Sequence, residues 1–292
     1  MPFSQTQIQR LIKATFQKDV VEIIQKQKIE GKSVGFVPTM GALHAGHISL
    51  IERAKKESDF VVCSIYVNPS QFNDKSDLEK YPRTLAYDIE LLVKAKCDLL
   101  YLPDDQSMYP NGVDKLKHFD LGLLDTILEG ARRPGHFQGV ANVVDRFLEI
   151  IDPDKLLMGQ KDFQQVKVID KLLNITNRNK VQLIMCPVER EKDGLALSSR
   201  NIRLNESHKL NAYKIYECLS WMKSLSKKQP LDWIKKEGLK KLSEIPNSNV
   251  EYLEICDSND LNILSNLKVN EQAVILAVVN MGGVRLLDNI LI

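Results

Sequence analysis

Cysteine, long apolar runs and an excess of either charge are scarce in this sequence, and each shortage excludes something. The five cysteines, Cys63, Cys97, Cys186, Cys218 and Cys256, are scattered and never stand in C-x-x-C spacing. That pattern argues against a zinc knuckle or a disulfide frame and fits reduced, mostly buried thiols of a cytoplasmic protein. The longest uninterrupted apolar stretch, Ala273 to Val279, is far too short to span a bilayer, and the Gln- and Lys-rich first thirty residues lack the apolar run of a signal peptide. Lys plus Arg total 40 against 38 Asp plus Glu, so the net charge of +2 gives no field that argues for a nucleic-acid or membrane partner. Any anion must be bound locally.

What is present fits an ordinary globular chain. Its 292 residues, 43% of them apolar, suffice for about two domains with real cores. An amphipathic pattern over 6–31 predicts an amino-terminal helix. Short apolar runs at 33–38, 59–67, 98–103, 155–159 and 181–187 then alternate with segments of 3.6-residue period at about 46–58, 84–96, 138–151 and 161–176. This is the spacing of βαβ crossovers, which predicts a parallel sheet of about five strands with helices on both faces and a ligand site beyond the strands' carboxyl ends. Past Pro187 the alternation stops. Two helical segments (206–226 and 231–244) and three β-like runs (250–258, 272–280 and 284–292) predict a smaller α+β domain, entered through the polar stretch "VEREKDGLALSSRNIRL".

The stretch "PTMGALHAGHISLI" (38–51) places His44 and His47 three apart at the start of a predicted helix. A metal reading needs three or four ligands, yet no H-E-x-x-H occurs and the remaining histidines are only His118, His136 and His208. Histidines satisfied in a core fit less well as a pair, because Gly41, Ala45 and Gly46 offer little to pack against. A phosphate explains more of the residues: small side chains admit a ligand, and a helix start points N–H groups and a positive dipole at it. Gly41 and Gly46 even mimic the G-x-x-x-x-G of a P-loop. His47 and Ile48, however, replace the Lys and the Ser or Thr that such a loop requires.

The H-x-G-H of "LHAGH" resembles the signature of the nucleotidyltransferase superfamily. With "YVNPSQF", "YPRTLAYD", "LEGARRPGHFQGVANVV", "MGQKDFQQ", "REKDGLALSSRN" and "VRLLDNI" in order, the chain resembles the pantothenate synthetase (pantoate–β-alanine ligase) family. The resemblance implies a Rossmann-like domain over 1–187, a smaller α+β domain over 188–292 that closes over the active site, and a homodimer. It implies an enzyme that condenses (R)-pantoate with β-alanine at the expense of ATP and Mg²⁺, through a pantoyl adenylate, with release of AMP and pyrophosphate. The metal would travel on the ATP phosphates, with no protein ligands of its own. The attacking carboxylate would itself be the nucleophile, in keeping with the absence of a G-x-S-x-G motif.

Carried over residue by residue, the resemblance implies catalytic roles for His44, His47, Lys161, Ser198, Ser199 and Arg200. It implies an ATP site built from these together with Met40, Gly41, Ala42, Leu43, Ala45, Gly46, Gly159, Gln160, Asp162, Val188 and Leu197. Gln71, Gln165, Asn68, Met40 and Tyr81 are expected around pantoate and β-alanine, Tyr81 with a further possible phosphate contact. Glu129 is expected to pair with Lys161, Arg133 to be a further cation near the site, His136 to be structural, and Gly135 and Gly139 to serve a tight loop. Three positions depart from the usual motifs: Tyr66 stands where Phe is usual, Asn142 where Thr is common, and Gln160 where Glu is usual. Other readings are an adenylyltransferase of the same fold, which would join AMP to a phosphorylated substrate, and a non-catalytic nucleotide-binding or RNA-associated protein, which the near-neutral charge and the absence of a basic stripe disfavour.

Overall fold

The computed structural model describes residues 11–113, 115–268, 270 and 272–292. The five apolar runs become β2 (Val34–Thr39), β3 (Phe60–Ile65), β4 (Leu99–Tyr101), β5 (Lys155–Gly159) and β6 (Gln182–Cys186), and a sixth strand, β1 (Ile12–Ala14), pairs with β4 at the sheet's edge. All neighbours are parallel, in the order β1-β4-β3-β2-β5-β6. The predicted amino-terminal helix is therefore shorter than expected. Its residues 6–10 lie outside the described ones, Ile12–Ala14 is extended, and α1 spans Gln17–Ile29.

The crossovers are α2 (Ala45–Glu57) after β2; α3 (Lys75–Glu79) and α4 (Leu85–Lys94) after β3; α5 (Asp105–Met108), α6 (Leu128–Arg132) and α7 (His136–Ile151) after β4; and α8 (Phe163–Ile175) after β5. One face of the sheet buries Val34 and Phe36 against α1, α7 and α8; the other buries Val37 and Val61 against Leu50, Ile51 and Ala54 of α2 and Leu92 of α4. Strands covered on both faces need apolar residues at successive positions, which is why they read as unbroken runs. Strand order reverses between β2 and β5. Their carboxyl ends diverge into helices on opposite faces, leaving the crevice where such sheets bind ligands.

The carboxyl-terminal part has α9 (Glu206–Ala212), α10 (Lys214–Leu225), α11 (Leu231–Ser243) and an antiparallel sheet of β7 (Ser248–Asp257), β8 (Ala273–Met281) and β9 (Val284–Leu291), in the order β7-β8-β9. The segment predicted as one helix over 206–226 is thus two, broken at Tyr213. Alternate residues of β8 serve two cores. Ile275, Ala277, Val279 and Met281 pack with Leu219, Met222 and Ile234 of α10 and α11, while Val274 and Leu276 join Phe163 at the head of α8. Full burial of Phe163 is worth about 1.5–3 kcal/mol by transfer arguments, and it sits one residue past the turn that follows β5. The small sheet is thereby seated beside the crevice.

All five cysteines are free and buried. Among the described residues, no helix is long and apolar enough to cross a membrane.

Candidate active site

The crevice holds a cavity walled by the ends of β2, β3 and β5, the turn after β6, and residues of β7, β8 and β9. Of the expected residues, Met40, His44, Gly46, His47, Asn68, Gln71, Tyr81, Gly159, Lys161, Asp162, Gln165, Val188, Leu197, Ser198, Ser199 and Arg200 line it. Gly41, Ala42, Leu43, Ala45 and Gln160 are not among its lining residues.

Backbone geometry places the histidines. Gly41 and Ala42 both adopt positive φ, +79° and +49°, turning the chain sharply after β2. At Gly41 a Cβ would approach Ile65 Cγ2 to 3.0 Å and Asp88 Oδ2 to 3.2 Å, so both the turn and the space require glycine. Asp88 of α4, 1% exposed, anchors the loop: its carboxylate accepts from Ala42 N (3.0 Å), Leu43 N (2.8 Å) and Thr84 Oγ1 (3.0 Å).

His44 then caps α2. Its Nδ1 accepts from Gly46 N at 3.2 Å, and His47 Nδ1 accepts from His44 N at 3.3 Å, with the two ring centroids 4.1 Å apart. A backbone N–H can only donate, so each Nδ1 is unprotonated and each neutral ring carries its proton on Nε2. Burial, reinforced by the charge of Lys161, pulls the His44 pKa down to about 4. Burial and the neighbouring His44 pull that of His47 to about 3. Both rings are neutral Nε2–H donors near pH 7. The amides of His44 and Gly46, which the sequence pattern offered to an anion, are taken by the imidazoles.

In the same cavity, an amide chain orients Gln71. Asn68 Oδ1 accepts from Ser70 N (3.3 Å), Ser70 Oγ (2.9 Å) and Tyr109 OH (2.8 Å), so its Nδ2 is the donor to Gln71 Oε1 (3.0 Å). Gln71 therefore turns its NH₂ group to Met40 Sδ at 3.1 Å. It offers donors, which suit a carboxylate or hydroxyl oxygen. Gly139 sits in the first turn of α7 and serves close approach, not the tight loop expected of it: a Cβ there would lie 2.3 Å from Ser70 O. Gly135 does turn the chain, at φ +81°.

His136, 6% exposed, donates from Nδ1 to Gln71 O (2.8 Å) and accepts on Nε2 from Arg133 Nη1 (3.0 Å), the opposite tautomer to His44 and His47. Burial and the Arg133 charge hold its pKa down at about 3. Burial likewise lowers Arg133, to about 10.

Lys161 and Asp162 occupy a 3-10 turn directly after β5, with Nζ 3.4 Å from Asp162 Oδ1. Burial acts to raise the Asp162 carboxyl, but the charges of Lys161 and Arg200 outweigh it and hold it below the ordinary range. The expected pairing of Glu129 with Lys161 is not found. Glu129, 4% exposed, instead makes a two-point ion pair with Arg285 of β9 (2.8 and 2.9 Å), and Arg285 also binds Glu251 of β7 at 2.8 Å. A planar guanidinium matches both carboxylate oxygens at once, which a lysine cannot do.

The "SSRN" segment touches the loop that follows β2. Ser199 Oγ donates to Ala42 O at 3.0 Å, and Ser198 Oγ accepts from Arg200 N at 3.3 Å. Arg200 pairs with Asp77 of α3 at 2.9 Å while lying over the Tyr81 ring, 5.4 Å from its centroid.

The three departures each have partners. Tyr66 OH donates to Asp105 (2.7 Å), Asn142 bonds both backbone groups of Lys117, and Gln160 Nε2 donates to Asn289 Oδ1 (3.0 Å).

Residues 13–291 match the model of the family described as pantoate-β-alanine ligase. The chain belongs to that family. It is 44% identical over 263 residues to a pantothenate synthetase of Porphyromonas gingivalis, covering 90% of this chain and 92% of that one. It is also 44% identical over 271 residues to one of Cytophaga hutchinsonii, covering 92% and 95%. Among solved structures, pantothenate synthetase from Thermus thermophilus superposes with a TM-score of 0.88 at 35% identity, over 96% of this chain and 99% of that one. Pantoate-β-alanine ligase from Francisella tularensis, complexed with β-γ ATP and β-alanine, gives 0.79 at 36% identity, over 97% and 98%.

Sequence reasoning missed Asp88, Asn289 and the Glu129–Arg285 pair. Asp88 closes the motif "YPRTLAYD" and Asn289 lies in "VRLLDNI", so motif membership marked both positions without revealing what they hold.

Proposed function

We propose that this ligase condenses (R)-pantoate with β-alanine in two steps at the crevice cavity. In the first, a pantoate carboxylate oxygen attacks the α-phosphorus of ATP, the bond to the bridging oxygen breaks, and pyrophosphate leaves. In the second, the β-alanine amine attacks the acyl carbon of pantoyl adenylate, a C–N bond forms, AMP leaves with the electron pair of the acyl C–O bond, and the amine gives up its proton. One observation carries the reading: two neutral imidazoles fixed as Nε2–H donors line one cavity with Lys161 and with an amide donor on Gln71.

Preorganised donors cost no reorganisation as charge builds on phosphate oxygens, and neutral ones do not bind the ground-state triphosphate so tightly that the barrier grows. Lys161 and Arg200 supply the cations that meet the triphosphate, with Ser198 and Ser199 as further donors. Gln71 and Gln165 hold pantoate without cancelling the charge on its attacking carboxylate. Asn68 orients Gln71, and Met40 and Tyr81 complete the wall. The backbone from Gly41 to Ala45, with Gly46, Gly159, Gln160, Asp162, Val188 and Leu197, shapes the nucleotide side.

Mg²⁺ enters this account on the ATP phosphates, where it neutralises charge. Amides, imidazoles and cations dominate the donor set, with Asp162 held by Lys161, which suits an ion already carried by phosphate oxygens better than a protein cage. On the same reading, residues 1–187 and 188–292 act as two domains closing on the nucleotide, and the enzyme works as a cytoplasmic homodimer.

Exchange of labelled pyrophosphate into ATP tests the first step. The expected result is exchange that requires pantoate and proceeds without β-alanine. Its absence under those conditions would overturn the free-standing adenylation step.

A further inference from the structure

We propose that Asn289, on the last strand of the carboxyl-terminal sheet, is a positioning residue for Lys161. The proposal rests on the reading of Lys161 as the cation that meets the triphosphate. Asn289 is 1% exposed, and its side chain is spent on the turn after β5. Its Nδ2 donates to Gln160 O at 2.9 Å and to Lys161 O at 3.0 Å, while Oδ1 accepts from Gln160 Nε2 at 3.0 Å. Two carbonyls can only accept, so the amide has one possible orientation.

Asn289 is fixed in turn from behind. Its backbone N donates to Asp288 Oδ1 (2.7 Å), and the Asp288 carboxylate receives both Nη atoms of Arg190, at 2.7 and 2.8 Å. The Arg190 guanidinium lies over Tyr216, 3.7 Å from the ring centroid. Arg190 begins the segment that runs on to Ser198 and Arg200, so a single strand end ties the lysine turn to the hydroxyl and arginine segment.

The physical reason for such a clamp lies in the turn itself. Gln160–Asp162 is a single 3-10 turn leading from β5 into α8, and a lone turn of this kind is weakly held by its own bonds. Lys161 sits at its centre with a long flexible stem. Fixing the carbonyl of residue 161 fixes the point from which that stem reaches into the cavity. Losing about 1 Å of placement costs on the order of a hundredfold in rate.

The test uses Asn289→Ala and Asn289→Ser, the latter smaller but still able to donate one hydrogen bond, measured on the two half-reactions separately. Pantoate-dependent pyrophosphate exchange should fall about ten- to a hundredfold in Asn289→Ala and less in Asn289→Ser, with KM for pantoate changed by less than about twofold. Consumption of supplied pantoyl adenylate by β-alanine should keep its wild-type rate. In a Lys161→Ala background, Asn289→Ala should add less than about twofold, because the asparagine acts through the lysine.

Wild-type exchange in Asn289→Ala, a full multiplicative effect on top of Lys161→Ala, or an equal loss in both half-reactions would each overturn the proposal. Failure of the wild-type enzyme to exchange would instead refute the adenylate step. The same non-additivity, read on overall pantothenate formation, would then decide the clamp by itself.

Discussion

Replacing Asp88 with Ala removes the acceptor that shapes the histidine loop. Two backbone donors and one hydroxyl, Ala42 N, Leu43 N and Thr84 Oγ1, lose their partner. Leu43 is buried, so its N–H finds no water and carries the full penalty of an unsatisfied donor, about 1–3 kcal/mol. Ala42 is half-buried and recovers part of its loss by hydration. Summed, the loss comes to about 2–4 kcal/mol of stability, allowing for some relaxation of the loop. Urea unfolding followed by circular dichroism reads this as a lower midpoint at unchanged slope. The loop also carries Met40 and the cap of α2, so pyrophosphate exchange should fall by more than tenfold even where the protein is fully folded. A variant of unchanged midpoint and unchanged exchange would refute the claim that this buried carboxylate sets the loop.

Three further outcomes follow from the same structure. His44→Ala or His47→Ala should lower turnover by about two to three orders of magnitude, the scale for loss of one preorganised transition-state donor, as checked by AMP release; near wild-type turnover in both would remove their assigned role. Arg285→Ala should destabilise by up to about 3–5 kcal/mol because it leaves the buried Glu129 carboxylate only the longer contact to Arg133, at 4.0 Å, whereas replacing both Arg285 and Glu129 with apolar residues should cost less; urea midpoints of single and double variants decide it. Histidine ring NMR should show Nε2–H tautomers for His44 and His47, Nδ1–H for His136, and no titration of any of the three between pH 7.5 and 5.5. Their folded pKa values of about 4, 3 and 3 lie below the unfolded 6.5. Protons therefore bind the unfolded chain first, and the three sites together erode stability as pH falls below about 6.5, levelling off near 3, at no more than about 1.4 kcal/mol per pH unit each. An apparent pKa near 6.5 for His44 or His47 would contradict their burial.

The sequence revealed what repeats locally. Strands buried on both faces, such as Val34–Val37 and Val61–Cys63, are nearly inaccessible to solvent and must be apolar at every step, so they appeared as unbroken runs. β1 was hidden because three residues are too few to show a period, and the two buried residues there, Leu11 just before it and Ala14 at its end, also fit one face of a helix. The histidines and Lys161 stood out because each follows a strand or begins a helix, whereas the serines were marked only by the family resemblance. What holds them was not. Asn289 reaches Lys161 across 128 positions and Arg285 reaches Glu129 across 156, and no local pattern records which of several cations a buried carboxylate meets once the chain has folded.

The central claim is that the imidazole pair after β2 faces the triphosphate while pantoate approaches the α-phosphorus. A crystal structure with a non-hydrolysable ATP analogue and pantoate measures this directly. Nε2 of both His44 and His47 should lie within about 3.2 Å of triphosphate oxygens, with Lys161 beside them and the pantoate carboxylate at Gln71. A triphosphate bound away from both rings would contradict it.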